Sequence, residues 1–123
     1  IPFLTSPMGM GMLPPDHPSN VSAARTQALQ GADTILMVGA RFNWLFHFGH
    51  PPRFAAEFNL VQVDIEPNEI GTNVPATVGL VGDAKMVMGQ LVDALDESPV
   101  SYGESPWLGG LKEKSNGSLK LVF

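Results

Sequence analysis

The residues of this chain that could do chemistry stand where apolar runs stop. Thr34-Ile35-Leu36-Met37-Val38 is followed by Gly39-Ala40-Arg41. Gly39 lets backbone approach a ligand closely. Arg41 offers a planar fork of donors suited to a phosphate. A second run, Leu60-Val61-Gln62-Val63, ends in Asp64 and Ile65, with the acid twenty-five residues past Gly39. A carboxylate at such a strand end either accepts from ribose hydroxyls or caps the following Pro67-Asn68-Glu69-Ile70 turn. A third run, 76–81, ends in Gly82-Asp83, where Asp83 is placed to cap a helix, with a ligand contact as a further possibility. Near the start, Gly9-Met10-Gly11 follows a short apolar segment. It reads as a phosphate cradle or as a flexible connection, since it lacks the third glycine of a dinucleotide fingerprint and the Lys-Ser/Thr of a P-loop.

Other candidates carry less. His47 and His50 lie three apart, but Gly49-His50-Pro51 breaks a helix and no cysteine exists to join them, so no metal site is expected. Asp64 and Glu66 have no neighbour that would push their pKa values apart, which leaves a catalytic pair unsupported. Residues 42–54 hold four Phe and one Trp. A connection this aromatic must pack over a sheet or line a cleft.

These positions need elements to hold them. Residues 34–38 are apolar or β-branched without alternation, the pattern of a strand buried on both faces of a parallel sheet. In such sheets ligands bind beyond the carboxyl ends of the strands. Strands are expected at 3–5, 34–38, 60–65 and 76–81, four or five in all. Ser19 or Asn20 can cap a helix to about Gln30, with Val21, Ala24, Ala28 and Leu29 as one stripe and Gly31 as its stop. Ala84, Val87, Met88, Leu91, Val92 and Leu95 keep helical spacing to about Asp96. The expected class is α/β, a doubly wound parallel sheet of Rossmann-like type over residues 1–97. Residues 98–123 read as a linker or tail, partly ordered at most, with a short helix over 107–114 from which Trp107 and Leu111 dock back. Residues 119–123 lead into the next part of a longer chain or are a cloning remnant.

Composition narrows the function. The chain has 123 residues, 44% apolar and 15% charged, as globular domains have. Seven basic against twelve acidic residues give a net charge of −5, which argues against a general nucleic-acid binder. With no cysteine there is no disulfide and no thiolate metal site. No signal peptide or membrane-spanning run is evident, so an intracellular protein with no membrane partner is the expectation. The sequons at Asn20 and Asn116 then read as coincidence. The chain does not open on Met and is expected to be a piece of something longer.

In order along the chain, Pro7-Met8-Gly9-Met10-Gly11, Pro15-Asp16-His17-Pro18, the 32–44 stretch from Ala32 through Arg41-Phe42-Asn43-Trp44, Val61-Gln62-Val63-Asp64-Ile65 and Gly82-Asp83 resemble the middle domain of thiamine-diphosphate enzymes. Arg41-Phe42-Asn43-Trp44, His47-Phe48-Gly49 and Pro51-Pro52-Arg53 point to the acyl-CoA branch, 2-hydroxyacyl-CoA lyases and oxalyl-CoA decarboxylases. The resemblance implies three α/β domains, with thiamine diphosphate and Mg2+ held between subunits by the outer two, so a homo-oligomeric parent. The family's catalytic glutamate and metal motif lie in those outer domains, so no catalytic residue is expected here. It implies a middle domain that binds FAD in acetolactate synthase relatives, ADP in oxalyl-CoA decarboxylase, and helps hold CoA in this branch. The parent reaction would cleave the carbon–carbon bond beside a 2-hydroxyacyl thioester, giving formyl-CoA and an aldehyde. Carried over by position, Gly9, Met10 and Gly11 would lie along the nucleotide phosphates and Gly39, Ala40 and Arg41 would form the phosphate edge. Asp64 and Ile65 would take the ribose and adenine side, Gly82 and Asp83 would close over the adenine, and Arg53 would meet a CoA phosphate. Many relatives carry Lys where Met10 stands, so one charge-assisted phosphate contact is missing. The location would be cytoplasmic, or peroxisomal in a eukaryote. Two other readings stand beside this one: a free-standing NAD- or FAD-binding domain, and a structural spacer whose nucleotide site has decayed.

Overall fold

The structure, a computed structural model, describes residues 1–122, with side chains as far as Ser118. Of the expected exit segment 119–123, the backbone of 119–122 belongs to a helix and Phe123 lies outside the described residues. Two compact units form, Ile1–Gly31 with Tyr102–Phe123, and Ala32–Ser101.

The second unit carries the sheet. Strands β1 (Thr34–Val38), β2 (Asn59–Asp64) and β3 (Val78–Val81) run parallel in the order β1-β2-β3. Leu36 pairs with Val61 and Val61 with Val78, so these three side chains share one face, while Met37, Gln62 and Gly79 share the other. Helix α2 (Ala84–Glu97) follows β3 and packs against β2. Parallel strands linked by crossovers and followed by a helix make the expected α/β, Rossmann-like class. β2, the central strand, is buried along most of its length. β1 departs from the both-faces-buried expectation: Leu36 is 46% exposed. Leu36 lies on the face it shares with Val61 and the equally exposed Val78, so that face of the sheet stays open among the described residues, and an apolar run does not reveal which face is covered.

The aromatic connection divides. Phe42, Phe54 and Phe58 pack as a cluster, with Phe42 edge-on to Phe54 at 5.4 Å between ring centres and Phe54 stacked on Phe58 at 5.7 Å. Trp44 and Phe48 stay exposed. Asn73, in the left-handed region, donates its side-chain N–H to the Phe42 carbonyl at 2.8 Å and ties the two connecting loops together.

The first unit is helical. A 3-10 turn at Ser22–Ala24 leads into α1 (Arg25–Gly31), and α3 (Pro106–Val122) packs on that turn. Val21, Ala24, Ala28 and Leu29 are all buried, the expected stripe. Leu111 of α3 closes the cluster formed by Val21, Ala24 and Ala28, with Leu4 and Leu108 at its edge. The expected 107–114 helix falls inside the longer α3. Arg25 donates to the Thr5 carbonyl, and its burial lowers the guanidinium pKa from the usual value. The strand expected at 3–5 is a single parallel bridge, Phe3 to Asn20, so among the described residues the strands number three rather than four or five. Asn20 does not cap α1. Its side-chain oxygen accepts from the Ser22 N–H at 3.2 Å, which turns the chain before the helix starts.

Candidate functional site

At the carboxyl edge of the sheet the strand ends converge. The ladder extends past β1 and β3: Gly39 N–H donates to the Val63 carbonyl at 2.8 Å and Gly82 N–H to the Asp64 carbonyl at 3.0 Å. Both glycines therefore flank the end of β2. Gly39 has φ +61, and a Cβ there would meet nothing within 4 Å. The glycine is required by conformation, and the space above it is open to a ligand. Ala40 is half-buried behind it and leads into Arg41.

Asp64 is 4% exposed. One carboxylate oxygen accepts from the Glu66 N–H at 2.9 Å, an Asx-type turn that starts the 3-10 segment Pro67–Glu69. The turn-capping reading thus describes what Asp64 does within the chain. The other oxygen lies 3.8 Å from Arg41 Nε, and Arg41 Nη1 lies 3.4 Å from Glu69 Oε1. Arg41 is half-exposed and braced by two carboxylates. The pair with Glu69 is part-exposed and adds little to stability. Ionised carboxylate oxygens accept more than one bond each, so Asp64 keeps capacity toward a hydroxyl.

Gln62 was missed by sequence reasoning. It is 1% exposed, on the same sheet face as Met37 and Gly79. Its side-chain N–H donates to the Glu69 carbonyl and its side-chain oxygen accepts from the Gly71 N–H, each at 2.9 Å. A single amide thereby fixes the loop that carries Glu69 to Arg41. The signal was a polar residue inside an apolar strand run, but its partners come from a loop whose path the run does not specify. Ile70 of the same loop sits over Gly79, where a Cβ would come within 2.5 Å of Ile70 Cγ2.

The remaining expected residues are spread out. Asp83 caps α2: its carboxylate accepts from the Met86 N–H at 3.1 Å. Ile65 is exposed beside Asp64. Arg53 is exposed on the turn after Pro51-Pro52, whose peptide bond is cis. His50 hydrogen-bonds through its ring to the Asn73 carbonyl at 3.3 Å. Among the described residues no group of three or more His, Asp or Glu is placed to hold a metal ion, and no helix is long and apolar enough to cross a membrane.

Gly9, Met10 and Gly11 belong to the helical unit. After a 3-10 turn at Pro7–Gly9, Met10 has φ −60 and ψ 133, Gly11 has φ +95, and the Met12 N–H donates to the Gly9 carbonyl at 3.3 Å. These are the angles and the bond of a type II β-turn. Gly11 is the residue that needs to be glycine. The Gly9 N–H donates to Ser6, so two of the loop's amides are engaged within it. In the same unit a groove of about 430 Å³ opens between α1 and α3. Gln27, Gln30, Gly31, Trp107 and Lys114 are among the residues lining it.

Comparison with known proteins agrees with the fold. Residues 1–91 match the family model described as thiamine pyrophosphate enzyme, central domain. The chain is 48% identical over 115 residues to human 2-hydroxyacyl-CoA lyase 1, covering 93% of this chain and 20% of that protein. It is 39% identical over 120 residues to the rice 2-hydroxyacyl-CoA lyase, covering 97% and 21%. Against oxalyl-CoA decarboxylase of Escherichia coli K12 it is 45% identical over 94 residues, covering 76% and 16%. The chain spans about a fifth of the length of the curated lyases it matches. A family model that covers most of the chain, joined to a parallel α/β sheet of the matching type, establishes that the chain belongs to the thiamine pyrophosphate enzyme central-domain family.

Proposed function

We propose that this chain is the central domain of a thiamine-diphosphate-dependent 2-hydroxyacyl-CoA lyase, and that it binds ADP or the ADP part of CoA without making or breaking bonds itself. The whole enzyme would cleave the carbon–carbon bond beside a 2-hydroxyacyl thioester to formyl-CoA and an aldehyde. The observation that carries the ligand reading is the strand-end group: a braced arginine, a buried carboxylate and an open left-handed glycine at the carboxyl edge of a parallel sheet. In it Arg41 meets a phosphate, Asp64 accepts from a ribose hydroxyl, Gly39 and Ala40 admit the phosphate edge, and Ile65 with Gly82 and Asp83 flanks the base. Gly9 to Gly11 and Arg53 are assigned to further phosphates. Residues 1–97 form the nucleotide-binding-like part.

The residues described do not fit thiamine diphosphate and its Mg2+, because no carboxylate cluster is available to hold the ion. No catalytic step is therefore derived for this chain. Outer domains of the same enzyme would hold that cofactor, in a homo-oligomer of the cytoplasm or peroxisome. A second reading, the central domain of an oxalyl-CoA decarboxylase, is favoured by the 45% identity to the bacterial enzyme.

Calorimetric titration of the chain with ADP, CoA, NAD and FAD in parallel tests the ligand reading. Saturable heat with ADP or CoA alone, weakened about tenfold or more by Arg41→Ala, is expected, one charge-assisted contact being lost. Flat titrations with all four would overturn it in favour of a structural spacer. Heat with NAD or FAD alone would overturn it in favour of a redox domain.

A further inference from the structure

We propose that Glu69 is a positioning residue for Arg41, and that its task is to keep the guanidinium from closing onto Asp64. The role rests on the nucleotide reading of the strand-end group. One arginine stands there between two carboxylates: Nε lies 3.8 Å from Asp64 Oδ2 and Nη1 lies 3.4 Å from Glu69 Oε1. A charge-assisted N–H···O bond is about 2.7–2.9 Å long. Neither contact is that short, so Arg41 is drawn to both carboxylates and bonded closely to neither. With Glu69 made neutral the pull becomes one-sided. Among the described residues, Asp64 is then the remaining ion-pair partner of Arg41, and a guanidinium facing a single carboxylate pairs with it bidentately. Such a pair occupies the fork that Arg41 offers to a phosphate. It also occupies the capacity that Asp64 keeps for a ribose hydroxyl. Both halves of the site are lost in one movement.

Strand β2 places Glu69 for this task. Gln62 and Asp64 stand two apart on the strand and so share a face. Each takes hold of the turn that follows. Asp64 accepts from the Glu66 N–H at 2.9 Å, and the Gln62 side-chain N–H donates to the Glu69 carbonyl at 2.9 Å. The turn closes on itself where the Glu69 N–H donates to the Glu66 carbonyl at 3.0 Å. The backbone of Glu69 is therefore fixed by bonds that do not involve its own carboxylate, and a glutamine there keeps them all. Glu66, the other acid of the turn, is exposed and forms no ion pair among the described residues. The fold thus brings one of the two turn acids to Arg41.

Coulomb attraction alone gives the opposite expectation for Glu69→Gln. Removing a negative charge beside an anion site tightens ADP and leaves uncharged adenosine unaffected. Positioning predicts that both weaken, each by about tenfold, because each loses a hydrogen bond to a charged group. The 123-residue chain and its Glu69→Gln variant are titrated calorimetrically with ADP and with adenosine. ADP binding that is tighter or unchanged in the variant would overturn the role. A second readout needs no ligand. The chain has three arginines, and the Nε–H resonance of Arg41 is assigned by its loss in Arg41→Lys. It is expected to move downfield in Glu69→Gln, as the Nε–H comes within bonding distance of Asp64. The same direction is expected in Gln62→Leu, where the side chain removed bonds to the Glu69 and Gly71 backbone rather than to Arg41. A resonance that stays in place or moves upfield in either variant would overturn the role. If the parent chain binds neither ADP nor adenosine, the nucleotide reading fails, and the Arg41 resonance still decides whether Glu69 positions the guanidinium.

Discussion

Replacing Gln62 with leucine tests how the loop bearing Glu69 is held. The substitution preserves bulk in a buried strand position and deletes two hydrogen bonds of 2.9 Å, one to the Glu69 carbonyl and one from the Gly71 N–H. Each such bond contributes roughly 0.5–1.5 kcal/mol net, and a buried group left without its partner costs more. Glu69 and Gly71 are only half-buried, so water reaches part of what is orphaned. The expected loss is about 2 kcal/mol, which at a urea slope of about 1–3 kcal/mol per molar lowers the unfolding midpoint by roughly 1 M. Amide hydrogen exchange at Gly71 should accelerate in step, because its acceptor is gone. A midpoint within about 0.3 M of the parent, with unchanged exchange at Gly71, would refute the clamp. Gln62→Glu sharpens the test. The new carboxyl keeps the bond from Gly71, but when ionised it turns a lone pair toward the Glu69 carbonyl. Burial beside Asp64 raises its folded-state pKa above the unfolded value, so this variant should lose stability as pH rises through that pKa and regain it as pH falls.

Leu111→Ala should destabilise the helical unit by about 2–5 kcal/mol, since Leu111 closes the cluster of Val21, Ala24 and Ala28; thermal unfolding followed by circular dichroism measures it. Gly31→Ala places a Cβ within 2.7 Å of Trp107 Nε1 and should shift the indole outward, seen as a red-shifted tryptophan emission that a Trp44→Phe background assigns to Trp107. Asp83→Ala removes the cap on the Met86 N–H and should cost about 1 kcal/mol, read from denaturant unfolding.

The parts of the fold legible in the sequence are those set by local periodicity. Val21, Ala24, Ala28 and Leu29 announce a buried stripe because helical spacing alone puts them on one face. Asp83 announces a cap because the apolar period starts just after it. What local pattern cannot carry is what covers each face of the sheet. Residues 34–38 read as buried on both faces, yet the face of Leu36 stays half-exposed, and nothing in five apolar residues says whether another element packs on it. Phe3 likewise looked like a strand and formed one bridge. Of the candidate site, Gly39, Arg41 and Asp64 were visible because strand ends could be located. Glu69 and Gln62 were not, because their roles arise from a loop folding back on the sheet, which no spacing encodes.

The helical unit is assembled from the two ends of the chain, with the whole sheet unit lying between them in sequence. On a ribosome, Val21, Ala24 and Ala28 emerge early and wait with their apolar side uncovered until Leu111 has been synthesised. The sheet unit, continuous from Ala32 to Ser101, can complete its pairing in that interval. Synthesis therefore favours the order sheet first, helical unit second. A chain stalled before α3 would present the Val21 cluster to chaperones while the carboxyl edge of its sheet was already formed.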